Sequence, residues 1–271
     1  MVERYSPTSS NRYEELAMPR SCRWVRYVFA SAMALPTLAT AQDPPQAFSY
    51  ATYFECDPSR EARADALMRE AFFPIFDRHL AAKHLIGWGW LAHNLGGHWR
   101  RAGYMVGSSR DAVLDAQSAV LKDMRARSKA FAEFTSICPR HEDYIWRNVA
   151  SSQPAEQSAQ ARSTARYGIY YECDMARQSR ADTLTMRAFA PVMNRYVKAG
   201  GLNSWGWLEH SVGGKYRRLL LFNGGGHNAI LAASDSIVAD IAKQRPAETR
   251  QFNEICHSHQ DYLWDIQISK P

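Results

Sequence analysis

Two tryptophans with a glycine between them and a histidine three residues on occur twice, as Trp88-Gly-Trp-Leu-Ala-His93 and Trp205-Gly-Trp-Leu-Glu-His210. On an extended strand, alternation puts Trp88 and Trp90 on one face and His93 on the other; Trp205, Trp207 and Glu209 share a face opposite His210. Paired indoles on one strand face suit an apolar or aromatic ligand. The expectation is therefore a ligand pocket walled by Trp88, Trp90, Trp205 and Trp207. The structural alternative is that the indoles are packing bulk against helices.

Acid–base candidates lie close by in sequence. Glu55 and Glu172 sit on segments otherwise almost free of charge. A half-buried carboxylate there needs a partner, which His93, His210 or an arginine from the third strand would supply. Such a pair can be tuned toward neutral pH and serve proton transfer. Glu209 is a third candidate, because the matching residue of the first copy is Ala92. A single active site would draw on residues that differ between copies. A structural salt link is the alternative for each of these carboxylates.

The repetition extends well beyond the tryptophans. Tyr53-Phe-Glu-Cys-Asp57 returns as Tyr170-Tyr-Glu-Cys-Asp174, and Gly96-Gly97 with Arg100-Arg101 returns as Gly213-Gly214 with Arg217-Arg218, at an offset of 117. The offset is 118 where Ile137-Cys138 meets Ile255-Cys256. A period this long is a duplicated domain rather than a solenoid unit. The expected divisions are an N-terminal extension with signal peptide over 1–41, repeat 1 over 47–149, a Ser/Ala/Gln-rich linker over 150–165 and repeat 2 over 166–269.

Each half reads strand, helix, strand, strand, helix, strand. Tyr- and Phe-rich first strands precede Asp57-Pro58, an N-cap with proline at the first helical position. Met68, Phe72, Phe76 and Leu80 form an apolar stripe, and Pro74 and Pro191 inside these first helices predict a kink. The paired glycines predict hairpin turns. The βαββαβ order is the ferredoxin-like motif, in which the last strand lies antiparallel beside the first. That brings Cys56 next to Cys138 and Cys173 next to Cys256, so two disulfides are expected.

Taken together, the fold class is α+β, with two tandem ferredoxin-like repeats packed sheet to sheet. This element order and duplication resemble the dimeric α/β-barrel superfamily, here made within one chain, whose members include antibiotic-biosynthesis monooxygenases and chlorite dismutases. The resemblance implies a fold and names no catalytic residue.

Composition bounds the remaining possibilities. Arg20 to Arg26 is basic, Tyr27 to Leu38 apolar, and Ala39-Thr-Ala41 a small-residue cleavage pattern, so the order is that of a secretory signal peptide starting at Met18. The apolar run is too short to span a bilayer. Four of five cysteines lie beyond it, consistent with export to a periplasmic or extracellular space. Removal of residues 1–41 leaves 28 basic against 24 acidic residues, a net +4. No Lys/Arg run with interleaved aromatics is present, so neither nucleic acid nor, after cleavage, a membrane is expected as partner.

His141-Glu-Asp143 and His257-Ser-His259 match no established ligand spacing, and no metal is expected. No cofactor is expected either. A heme like that of chlorite dismutases would want an axial histidine on a second-half helix, and there only His227 stands, at a helix start. The leading reading is an exported protein that binds a small apolar or aromatic ligand between its repeats. The alternatives are a cofactor-independent monooxygenase and a structural module of the cell envelope.

Overall fold

The computed structural model describes residues 47–152 and 163–271. The expected signal segment and most of the linker lie outside these residues. The strands are β1 (Phe48–Glu55), β2 (Gly87–Gly96), β3 (Arg101–Gly107), β4 (Arg140–Ser151), β5 (Ala165–Cys173), β6 (Ser204–Val212), β7 (Arg218–Gly224) and β8 (Cys256–Lys270). They close into one antiparallel barrel in the order β1-β3-β2-β8-β5-β7-β6-β4. Within each half the last strand lies beside the first, as the sequence order predicts. The halves join edge to edge, β2 to β8 and β4 to β6. This is the barrel within one chain that the element order and duplication imply, and pairing the outer edges leaves none of the described strands with an open edge.

Alternation along the strands creates two environments. Tyr53, Trp99, Tyr144, Trp146, Tyr170, Tyr216, Tyr262 and Trp264 point into the barrel, with Leu91 and Leu208. Their rings stack: Trp99 lies 4.2 Å from Tyr53 and 4.8 Å from Tyr262 between ring centroids, and Tyr144 lies 5.0 Å from Trp146. Eight strands enclose just enough room for side chains, and aromatic rings occupy it. The expected ligand space between the repeats is therefore a packed core.

Helices cover the outer face. In the first half these are α1 (Glu61–Leu67), α2 (Phe73–Ala81), α3 (Arg110–Ala126) and α4 (Ser128–Ile137). In the second they are α5 (Gln178–Leu184), α6 (Ala190–Lys198), α7 (His227–Gln244) and α8 (Pro246–Ile255). The expected proline kinks take the form of π-helical turns, Met68–Phe72 and Thr185–Phe189, each ending two residues before Pro74 or Pro191. Proline offers no N–H and its ring crowds the carbonyl four residues back, and one wide turn relieves both.

The hairpin glycines behave as read. Gly96 has φ +121° and Gly213 φ +139°, values that side chains disfavour. The bridges Cys56–Cys138 and Cys173–Cys256 form, with S–S distances of 2.10 and 2.04 Å. Each clamps the end of a first strand to the start of a last strand.

Candidate functional site

On the outer face of the first half, a cavity of about 390 Å³ opens between β1, β2 and β3 on one side and α3 and α4 on the other. Its walls are apolar: Trp88 and Trp90 from β2, Phe54 from β1, Met105 from β3, Phe76 from α2 and Phe134 from α4. Gly103 leaves bare backbone in the floor opposite Trp90. A Cβ built there would lie 3.3 Å from the Trp90 ring. Volume and apolar lining match those of small-molecule sites.

One side of the cavity is polar. His141 and Asp143 reach it from β4, two residues apart and so on one strand face. His141 Nδ1 lies 3.1 Å from Asp143 Oδ2. Tyr50 stands beside them, and burial together with the Asp143 charge holds its phenol proton far above the ordinary range. The second half repeats the motif: His259 Nδ1 is 2.8 Å from Asp261 Oδ1, and Tyr167 donates to Asp261 Oδ2 at 2.9 Å. An ionised carboxylate only accepts. In the second half Asp261 therefore accepts from Nδ1–H of His259 and leaves Nε2 as the acceptor, the arrangement a general base needs, while His141 and Asp143 stand at ion-pair distance. The sequence contained this signal as the recurring His-x-Asp of both fourth strands, and reading His141 only against metal spacings missed it.

The corresponding region of the second half is different. A more open groove of about 370 Å³ is lined by Tyr167, Ile169, Tyr171 and His259, and Trp205 and Trp207 do not border it. Leu220 stands opposite Trp207 where Gly103 stands opposite Trp90, and it packs into the helix–sheet core. Trp205 and Trp207 thus belong to a packed core, whereas Trp88 and Trp90 are core residues with a cavity beside them.

The four indoles are pinned. Trp90 Nε1 donates to Asp65 Oδ1 at 2.8 Å, and Arg101 makes a two-pronged contact with the same carboxylate at 2.8 and 2.7 Å. Trp207, Asp182 and Arg218 repeat this with distances of 2.8, 2.6 and 2.7 Å. Trp88 donates to Asp77 and Trp205 to Asn194. Buried indole N–H groups need such acceptors. The recurring Arg-Arg pair thus supplies the guanidinium that ties strand to helix.

The acid–base candidates are dispersed rather than brought together. Glu55 pairs with Arg140 at 2.5 Å and Glu172 with Lys215 at 2.6 Å, away from the cavity. Their partners are neither the expected histidines nor an arginine of the third strand. Glu209 is held by Arg147 at 2.5 Å, bridging the β4–β6 seam. His93 and His210 point to the barrel interior, against Tyr262 and Trp264 in one case and Tyr144 and Trp146 in the other. Burial first, then Arg100 or Arg217, lowers the pKa of each. None of these five residues borders the cavity. Their strand alternation was readable, but the direction of each face was not.

No family model matches the sequence, and no curated protein matches it. Solved structures do match. An anthrone oxidase-like protein aligns with TM-score 0.55 at 10% identity, over 84% of this chain and 94% of its own. A candidate monooxygenase from Fusobacterium nucleatum aligns with TM-score 0.57 at 9% identity, over 83% and 94% of the two chains. Another from Lactobacillus acidophilus NCFM aligns with TM-score 0.53 at 8% identity, over 83% and 95%. These likenesses cover both halves and the closed barrel, and the chain has the dimeric α/β-barrel fold.

Proposed function

We propose that the protein binds a small apolar or aromatic molecule in the first-half cavity between sheet and helices. The observation that carries this is a cavity of about 390 Å³ with Trp88, Trp90, Phe54 and Phe134 as walls and the His141–Asp143 pair as its polar side. Apolar walls give affinity and a few placed polar groups give orientation. Calorimetric titration of the protein with 2-naphthol tests the reading. One saturable site is expected, lost when Gly103→Leu fills the floor. Absence of saturable binding to the unmodified protein refutes it.

A second reading is cofactor-independent oxidation of the bound aromatic by O2. It is favoured by the His141–Asp143 pair, placed to take a proton from an acidic substrate. The fold neighbours described as anthrone oxidase-like and as candidate monooxygenases support it as analogy. Oxygen uptake with anthrone as probe, compared between the protein and His141→Gln, separates binder from enzyme. Uptake at the uncatalysed rate leaves binding as the function.

The halves are best read as tandem ferredoxin-like repeats fused by duplication. Export is part of the same reading. The two disulfides are compatible with an oxidising compartment, and cleavage after Ala41 follows from the sequence pattern. N-terminal sequencing of protein recovered from an export-competent host checks this; an intact 20–41 segment refutes it.

A further inference from the structure

At the C-terminal end of α2, two histidines face each other in the first half only. His79 Nδ1 lies 3.2 Å from His84 Nδ1, and His79 Nε2 lies 3.2 Å from Asp123 Oδ2 on α3. Tyr196 and Gly201 stand at the matching positions of the second half, where Tyr196 donates to Asp240 at 3.1 Å. The helix-to-helix tether to an aspartate is therefore common to both halves, and the second imidazole is an addition to it.

The turn that carries that imidazole follows the end of α2. Lys83, directly before His84, has φ +61°, the one non-glycine residue with positive φ among the described residues. Gly200 adopts the same conformation in the second half without strain, at φ +78°. His79 is buried and His84 exposed, so one imidazole is fixed while the other is reachable from solvent.

Asp123 decides the tautomer. Its carboxylate accepts from Nε2–H of His79, so the lone pair of neutral His79 is on Nδ1, toward His84. A carboxylate behind a histidine is the usual outer-shell partner of a metal-bound imidazole. Two nitrogens bound to one ion at about 2.0–2.1 Å stand about 2.8 Å apart in a square-planar site and about 3.3 Å apart in a tetrahedral one. The observed 3.2 Å fits that span. When the proton between the rings passes through solvent to Nε2 of the exposed His84, that ring stays neutral with its lone pair on Nδ1, and a modest turn of it aims both lone pairs at a common ion.

We propose that His79 and His84 bind one divalent transition-metal ion of the imidazole-preferring class, copper(II) or zinc(II). Among the described residues no third His, Cys, Asp or Glu converges on the pair, so water completes the coordination and the ion exchanges readily. The site is distinct from the aromatic cavity and does not depend on ligand binding there.

Titration of the full chain with CuCl2 and ZnCl2, followed by calorimetry, tests the assignment, with electron paramagnetic resonance of the copper form. Copper is expected to bind more tightly than zinc, with coupling to two nitrogens. His84→Ala, a change at an exposed position, should weaken copper binding at least tenfold and remove one nitrogen coupling. His98→Ala, at another exposed histidine, should change neither. Wild-type affinity and an unchanged copper spectrum in His84→Ala overturn the proposal, as does failure of both metals to bind the unmodified protein.

Discussion

Gly103 on β3 and Leu220 on β7 occupy the same place in their halves, each opposite the second tryptophan of its Trp-Gly-Trp strand; the first-half cavity is bordered by Trp88 and Trp90, whereas the second-half groove reaches neither Trp205 nor Trp207. In the first half the missing side chain leaves the buried Trp90 ring bordering the cavity. In the second, Leu220 lies with Trp207 in continuous packing.

Gly103→Leu should therefore remove 2-naphthol binding by at least tenfold. The added Cβ meets Trp90 at 3.3 Å, so the indole must give slightly, and overpacking of this kind costs about 1–3 kcal/mol. Leu220→Ala should cost about 2–5 kcal/mol through lost packing. Paired titrations and thermal melts read both effects. A Gly103→Leu protein that still binds the probe at wild-type affinity places the ligand elsewhere.

The Asp182–Arg218 pair should behave as an internal bolt. Arg218 is 2% exposed and held by two contacts of 2.6 and 2.7 Å. Asp182→Ala strands its charge and the Trp207 N–H, at a cost of about 3–5 kcal/mol. Replacing both partners, as Asp182→Leu with Arg218→Met, should recover much of that loss. Urea unfolding of the two variants measures the difference. Equal losses in single and double variants contradict the account.

Most of the fold was legible because the duplication printed it twice. The offset of 117 aligned each strand with its copy, and topology alone brought Cys56 to Cys138. Which strand face turns inward was not legible. Trp88 and Tyr53 are both large and apolar, one buried under the helices and the other in the aromatic interior, and alternation separates the faces without labelling them. The barrel itself followed from the duplication, but the pairing of β2 with β8 and of β4 with β6 carries no local mark in the sequence. The fate of Glu55 and Glu209 depended on Arg140 and Arg147, residues of a strand distant in sequence.

Stability should fall on mild acidification. Burial and neighbouring arginines lower the pKa of His93 and His210 below the free value of about 6.5. In that window the unfolded chain binds protons that the folded one does not, so stability rises with pH. Above about pH 7 both states hold these imidazoles neutral and the contribution is flat. It is lost as pH falls below about 6.5, until the folded histidines protonate as well. Urea unfolding at pH 7.5 and 5.5, for the protein and for His93→Gln with His210→Gln, should show a smaller pH difference in the double variant. An identical difference assigns the acid sensitivity to other groups.

Each disulfide should act on its own half, because each closes a loop of 82 or 83 residues within it. Chain-entropy arguments assign such a loop about 4–5 kcal/mol as an upper figure, and removal of native bridges costs about 2–5 kcal/mol. The halves share two strand seams and one aromatic interior, so a loss in one half should lower the stability of the whole barrel rather than melt that half alone. Cys56→Ala with Cys138→Ala, and Cys173→Ala with Cys256→Ala, should each lower the urea midpoint while keeping a single transition. A second, separate transition in either pair of variants, seen as non-coincident fluorescence and circular dichroism curves, would show that the seams are too weak to couple the halves.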